Sequence, residues 1–293
     1  MKTCQKLFAL GILFFALPAL GQGMPPVVQA AKDADWARLS SLLRVQSNVQ
    51  DVYGDGTSAL HWASYHDNVQ AAAELIEQGG DVNSVTDLGV TPLWLAADNG
   101  SAAMVDALLE SGANPNLNLL SGETLVMTAA HSGNAALVRS LLAAGASPQG
   151  EVTRNQTALM WAAGQGHGDV VGALLDYGAE VDARTLVRSQ YVKSEKEQDS
   201  HPLNKVWVEQ GGNTALIFAA RAGSLESARL LVAAGSDVNG LSAFGTSPTI
   251  MAIHGGNIKL LGFLIESGAD VESSVSGHTA LHAAILRGSP EAV

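Results

Sequence analysis

From Thr91 to Asn116 the chain reads TPLWLAADNGSAAMVDALLESGANPN, and this stretch decides the fold. Thr91 is placed to cap a helix by accepting a backbone N–H, and Pro92 is preorganised for the first helical position. Ala96 and Ala97 are small enough to let a neighbouring helix approach closely. Gly100 ends the helix, where left-handed backbone costs a glycine least. A second helix is predicted from about Ala102 to Glu110, burying Val105, Leu108 and Leu109 at helical spacing. Gly112 closes it, and Ala113-Asn114-Pro115-Asn116 opens an extended turn that leads to Gly122 and Thr124.

The same phrase recurs along the chain. Its capping residue stands at Ser58, Thr91, Thr124, Thr157, Thr214, Ser247 and Thr279, at spacings of 33, 33, 33, 57, 33 and 32. The 57 is one period plus an insertion of 24 residues. One period before Ser58, at Pro25, a degenerate copy begins (Ala30-Ala31, then Leu42-Leu43). Two residues before the cap stand Gly56, Gly89, Gly122, Gly212, Gly245 and Gly277, with Asn155 as the exception. Apolar pairs keep phase at Leu75-Ile76, Leu108-Leu109, Leu141-Leu142, Leu174-Leu175, Leu231-Val232 and Leu264-Ile265. Each unit therefore reads as two short helices and a hairpin-like finger. Alone it is too short to hold those helices, because isolated helices below ~12–15 residues are marginal. Stacking neighbours buries a continuous apolar core.

These residues resemble the ankyrin repeat family, with its 33-residue period and T-P-L-H-x-A signature. The nearest copies are Ser58-Ala59-Leu60-His61-Trp62-Ala63, Thr91-Pro92-Leu93-Trp94-Leu95-Ala96 and Thr279-Ala280-Leu281-His282-Ala283-Ala284. The resemblance covers about residues 25–293, less the insertion. It implies an all-α repeat solenoid, an ankyrin-type stack of helix-turn-helix units joined by β-hairpin-like fingers. Units open near 25, 58, 91, 124, 157, 214, 247 and 279, the last one incomplete. Thr249 stands where the core Leu belongs and Asp67 where the usual Gly does, which should weaken single units.

Composition bounds the function. The chain has 293 residues, with 16 Lys+Arg against 28 Asp+Glu and a net charge of −12. That balance argues against non-specific nucleic-acid binding, which needs basic residues to displace counterions. One cysteine excludes a disulfide scaffold and a Cys-rich zinc site. Residues 1–21 contain no acid. Lys2 and Lys6 precede an apolar run from Leu7 to Leu17, Pro18 breaks it, and Ala19-Leu20-Gly21 supplies small residues. This reads as a secretory signal peptide cleaved near Gly21–Gln22, because the run is shorter than the ~20 residues of a spanning helix. Cys4 leaves with it, and loss of the two lysines takes the net charge to −14. An exported product is expected, in the periplasm or outside the cell, soluble and monomeric, with no membrane insertion after cleavage. The short signal has a bacterial look, so the glycosylation triplets at Asn99 and Asn155, which overlap repeat turns, are discounted.

Two irregularities interrupt the period. The inserted loop, about 184–210, contains Tyr191 and Trp207 among nearly balanced charges. It is either a tolerated excursion at a loop tip or a partner-gripping arm anchored by those two aromatics. At the other end the last unit stops at Val293, half a repeat short, which suggests that the natural chain continues.

No catalytic constellation is found. His61 and His282 occupy the signature position, whose implied role is hydrogen bonding within and between repeats; His66 and His278 lie near them without a metal-binding motif. Gly164-Gln165-Gly166-His167-Gly168 looks like a phosphate loop but falls at the helix–helix turn. There is no Walker or G-x-S-x-G segment. No cofactor or metal is expected. Trp62, Trp161 and Phe218 share one register position and are expected in the core, whereas Trp94, which replaces the signature His, is expected to be partly exposed.

The resemblance implies partner binding by finger tips and first helices on a concave face. By register the helix positions are Tyr65, His66, Asp98, Asn99, His131, Gln165, Arg221 and His254, and the tips are Asp55, Leu88, Leu120, Arg154 and Phe244. The three apolar tips either form an interaction edge or pack onto neighbouring fingers. The leading reading is a non-catalytic protein–protein interaction module binding an unidentified protein. A second reading is the recognition arm of an enzyme or redox protein whose working domain lies beyond residue 293, and a third is a secreted effector of host proteins.

Overall fold

The structure is a computed structural model that describes residues 23–45, 48–149, 151–152, 155–193, 205–273, 277 and 279–293. The signal segment, Arg154 and His278 lie outside the described residues. The chain divides between Ser147 and Pro148 into two compact units.

Unit 1 contains four helix pairs: α1 (Pro26–Lys32) with α2 (Trp36–Arg44), α3 (Ala59–Tyr65) with α4 (Val69–Glu77), α5 (Pro92–Asn99) with α6 (Ala102–Glu110), and α7 (Leu125–Ser132) with α8 (Ala135–Ala143). First helices pack on first helices, α1 on α3, α3 on α5 and α5 on α7; second helices stack in parallel register, α2 to α4 to α6 to α8. Unit 2 repeats the plan with α9 (Ala158–Gln165) and α10 (Gly168–Asp176), α11 (Ala215–Ala222) and α12 (Leu225–Ala233), α13 (Pro248–Gly255) and α14 (Ile258–Glu266), then α15 (Ala280–Arg287). Its first helices stack α9, α11, α13, α15.

Local chemistry sets the helix ends. All seven cap residues, Ser58 to Thr279, accept a hydrogen bond from the backbone N–H three residues on. Replacing such a cap costs about 1 kcal/mol. Gly100 ends α5 with φ 70°. Asp67 takes the same left-handed place at φ 57°, and Asn155 replaces a finger glycine at φ 52°; acid and amide side chains tolerate that region better than most. The core lies between the two helix layers of each unit and is built of Leu, Val, Met and Ala. Leu75, Leu93, Met104, Leu108, Leu125 and Leu141 are fully buried in unit 1, and Leu159, Met160 and Leu174 in unit 2. Ala30, Ala63, Ala96, Ala130, Ala163 and Ala220 are also buried, which explains the close first-helix stacking.

Fingers close by backbone pairing: Thr86 N–H donates to Val90 O at 3.0 Å, Leu119 to Glu123 O at 3.1 Å and Ser242 to Thr246 O at 3.0 Å. The described residues of the insertion are strand-like at both ends. They draw one finger out into a two-stranded antiparallel hairpin, β3 (Arg188–Lys193) and β4 (Lys205–Gln210), in which Arg188 pairs with Gln210 and Tyr191 with Trp207. A shorter ladder joins β1 (Glu151–Val152) to β2 (Gln156–Thr157).

Three expectations about bulky side chains change. Trp94 is 3% exposed, because the cap turns its helix position into the stack; its indole Nε1 is buried without a partner. Trp161 and Phe218 are only half-buried, unlike Trp62, and they line a surface groove described below. Thr249 is buried with Oγ1 unpartnered, so the misfit anticipated there is real. Replacing it with isosteric Val removes an unsatisfied hydroxyl and should stabilise the protein by about 1 kcal/mol, or roughly 2–4 °C. Thermal and urea unfolding check this, and a lower midpoint for Thr249→Val would show that the hydroxyl has a partner after all.

Candidate functional site

In unit 1 the finger tips and first helices present one face. The tips are tied to each other through backbone: Asp87 N–H donates to Asp55 O at 2.8 Å and Leu120 N–H to Leu88 O at 3.0 Å. The fingers approach so closely that a Cβ on Gly56 would lie 2.7 Å from Val85 O, and one on Gly89 2.8 Å from Asn118 O. Because the tie uses main chain, the side chains are left outside. Leu88 is 46% exposed and Leu120 76%. Asp55 is half-buried, and its Oδ1 accepts from Thr57 N–H at 2.9 Å.

An aromatic cluster stands at the end of the first helix α3. The rings of Tyr65 and His66 meet edge to face at 5.2 Å, Trp62 lies 5.7 Å from Tyr65 and 6.1 Å from His66, and Trp36 meets His66 at 5.8 Å. The Lys32 ammonium sits 5.8 Å from the Trp62 ring centroid. Tyr65 is therefore half-buried rather than exposed. Two of the expected binding residues also serve the stack. His66 Nε2 bonds Lys32 O at 3.0 Å, and Asn99 Nδ2 donates to Ser64 O and Tyr65 O, both at 3.0 Å. Each closes orphan carbonyls at the end of the preceding first helix. His131 is exposed on α7.

Two side chains of unit 1 have displaced titrations. His61 is fully buried: Ser58 N–H donates to its Nδ1 at 3.1 Å, so the ring is the tautomer whose Nε2–H donates to Val90 O, 3.0 Å away. Burial, opposed by the Val90 carbonyl and the charges of Asp55 and Asp81, pushes its pKa down to about 4. Asp98 is half-buried; burial first, then the charge of Glu123, pushes its carboxyl up to about 6.

The expected positions of unit 2 divide differently. Arg221 and Phe244 line a groove of about 960 Å³ between the β3–β4 hairpin and the first helices, together with Phe218. Gln165 lies in a smaller hollow beside it, with Trp161. His254 is exposed on α13, and its carbonyl accepts from Arg287. Tyr191 and Trp207 pair with ring centroids 4.9 Å apart, but strand alternation puts them on the hairpin face opposite Arg188, Gln190, Val208 and Gln210. They are 47% and 68% exposed.

A row of side chains that sequence reasoning passed over joins neighbour to neighbour. Gln50 Nε2 donates to Gly79 O, Asn83 Nδ2 to Gly112 O, Asn116 Nδ2 to Gly145 O, Gln149 Nε2 to Gly178 O and Asn239 Nδ2 to Gly268 O. In return Asn83 Oδ1 accepts from Asn114 N–H, Asn116 Oδ1 from Ser147 N–H, Gln149 Oε1 from Glu180 N–H and Asn239 Oδ1 from Asp270 N–H. At Asp182, where the amide is missing, the carboxylate accepts from Ser236 Oγ and Asp237 N–H. The same 33-residue period carries this row and was available to find it.

The comparisons agree with this architecture. The family model of ankyrin repeats matches three times, over residues 27–119, 113–185 and 216–293, and the chain belongs to the ankyrin repeat family. It is similar to a crystal structure of the human ASB11 ankyrin repeat domain, with 29% identity, 90% of this chain and 98% of that chain covered, and a TM-score of 0.60. It is also 36% identical to human neurogenic locus notch homolog protein 1 over 74 residues, a quarter of this chain and 3% of that protein's length. Ankyrin repeats are in general protein–protein interaction modules, and such domains are typically non-catalytic.

The two displaced groups give opposite pH dependence. His61 titrates near 6.5 unfolded and near 4 folded. Its stability is full above about 6.5 and is lost as pH falls toward 4. Asp98 titrates near 3.8 unfolded and near 6 folded. Its folded form is favoured at low pH and loses stability as pH rises from about 4 to 6. His61→Ala should therefore cost about 2–3 kcal/mol at pH 7 through lost bonds and a cavity, with the penalty shrinking toward pH 4. Asp98→Asn should stabilise above pH 6 by at most about 1 kcal/mol after solvent screening and change nothing below pH 4. Urea unfolding from pH 4 to 8 reads both.

Proposed function

We propose that the protein is an exported, non-catalytic module that binds a protein partner through its finger and first-helix face. The observation that carries this reading is the exposure of Leu88 and Leu120 on tips already joined by backbone hydrogen bonds. The stack does not use these side chains, and they stand in a row rimmed by Asp55, Asp87 and His131. An apolar centre with a polar rim is the composition of an association surface. The half-buried ring of Tyr65 on the first helix adds aromatic surface of the kind that dominates binding energy. Export rests on the basic start, apolar run and small-residue exit of residues 1–21.

Leu88→Ala, Leu120→Ala and His131→Ala combined should weaken capture of a crosslinked partner from envelope extract about tenfold. The melting temperature should stay within about 2 °C, since surface changes cost little. Equal capture by the triple variant would place binding elsewhere. Mass spectrometry of the protein expressed from its full reading frame should show an N-terminus at Gln22, whereas an intact Met1 terminus would contradict export by a cleaved signal.

A further inference from the structure

The insertion does more than lengthen a finger. The β3–β4 hairpin and the first helices of unit 2 line an open groove of about 960 Å³, at the upper end of the usual range for ligand sites. Unit 2 as a whole is acidic, with 10 basic against 15 acidic residues between Pro148 and Val293. The groove reverses that balance. Among the described residues its lining includes Arg188 on the hairpin wall and Arg221 on the helix wall, and no carboxylate. Helices α9, α11 and α13 contain no Asp or Glu at all. Glu209, the one acid within strands β3 and β4, pairs with Ser189, which also borders the groove; alternation puts its side chain on the strand face of Tyr191 and Trp207, away from Arg188.

The floor is apolar. Phe218, half-buried, lies beneath the Arg221 guanidinium at 5.1 Å from ring to charge, and Phe244 (59% exposed) and Met251 stand beside it. Gly164 leaves room for the Phe218 ring, where a Cβ would touch it at 3.5 Å. Between the two arginines, the amides and hydroxyls of Gln190, Gln210, Asn213 and Thr246 line the walls, a set able to donate to and accept from peptide groups. The root of the hairpin is held firmly. Arg184 Nη1 donates to Gly212 O at 3.1 Å and to Leu241 O at 2.6 Å, and Ala243 N–H donates to Gly211 O at 2.9 Å.

We propose that this groove binds an extended acidic peptide segment of a protein partner, with carboxylates against Arg188 and Arg221 and an apolar side chain on Phe218 and Phe244. The inference rests on the reading of the protein as a protein-binding module and adds the chemistry of one ligand. Guanidinium groups pair with carboxylates through two parallel bonds, and a cationic cleft in an acidic protein concentrates anionic segments. A stretch of about six extended residues spans the ~20 Å of strand β3.

Fluorescence anisotropy on the full mature chain tests this with two labelled hexapeptides, Asp-Glu-Leu-Asp-Glu-Phe and its amide counterpart Asn-Gln-Leu-Asn-Gln-Phe. The acidic peptide should bind at least about tenfold tighter at low salt and lose that advantage as salt rises. The double variant R188Q/R221Q should weaken it about tenfold or more. R229Q/K259Q, which removes the same charge from the second-helix layer, should leave it unchanged. Circular dichroism and the melting temperature confirm folding of both variants. Equal affinity for the two peptides, or equal loss in both double variants, overturns the proposal. Displacement of the acidic peptide by an oligonucleotide of equal charge at equal concentration overturns the assignment to a peptide. If the peptide ignores the groove while the variants of Leu88, Leu120 and His131 still lose partner capture, the module reading survives and this inference alone fails.

Discussion

Every unit of this protein depends on its neighbour to satisfy polar groups that it cannot satisfy itself. The amide row makes this concrete. Asn83 reaches one repeat forward, donates to the carbonyl of Gly112 and accepts from the N–H of Asn114; Asn116 does the same to Gly145 and Ser147. The glycine carbonyl lies past the end of a second helix, where backbone acceptors have no partner within the helix. His61 plays the corresponding part in the first layer, linking the Ser58 cap to Val90 of the next finger. Nine-residue second helices gain their stability from these links and from the leucines between layers, since propensity alone does not hold so short a helix.

The same constraint frees a surface for use. Because neighbouring fingers join through the carbonyls of Asp55 and Leu88, the Leu88 and Leu120 side chains are not needed for that tie and their identity can follow a partner. The cost appears at the glycines: Gly56 and Gly89 hold positive φ and leave no space for a Cβ. In unit 2 the extended hairpin uses this freedom to raise a wall over the helices. The result is a groove whose charge is opposite to that of the surrounding protein.

Helix limits were legible because their determinants are local. The second helix anticipated from Ala102 to Glu110 has those limits, and Thr91 and Gly100 cap the preceding helix as read. Side-chain burial was less legible, since it depends on what a neighbouring unit places opposite. Trp94 is buried and Phe218 half-exposed for that reason, although their register alone suggested the reverse. The strand character of Arg188–Lys193 was masked by charges that suit a solvated loop; once paired, alternation sends Tyr191 and Arg188 to opposite faces. His66 and Asn99 were expected at the binding face by register, and their bonds to carbonyls of the preceding unit become visible only when the units are stacked. The amide row was within reach, because Gln50, Asn83, Asn116 and Gln149 keep the period, but polar residues in loops give no hydrophobic signal to follow.

A single unit should have no stable structure without its neighbours. A synthetic peptide of residues 91–116, one complete helix pair with both caps, tests it in a single far-ultraviolet circular dichroism spectrum in buffer at 25 °C. The spectrum should be mostly that of an unfolded chain and should not sharpen on cooling to 5 °C. Helix content matching that of α5 and α6 in the protein would contradict that dependence on neighbours.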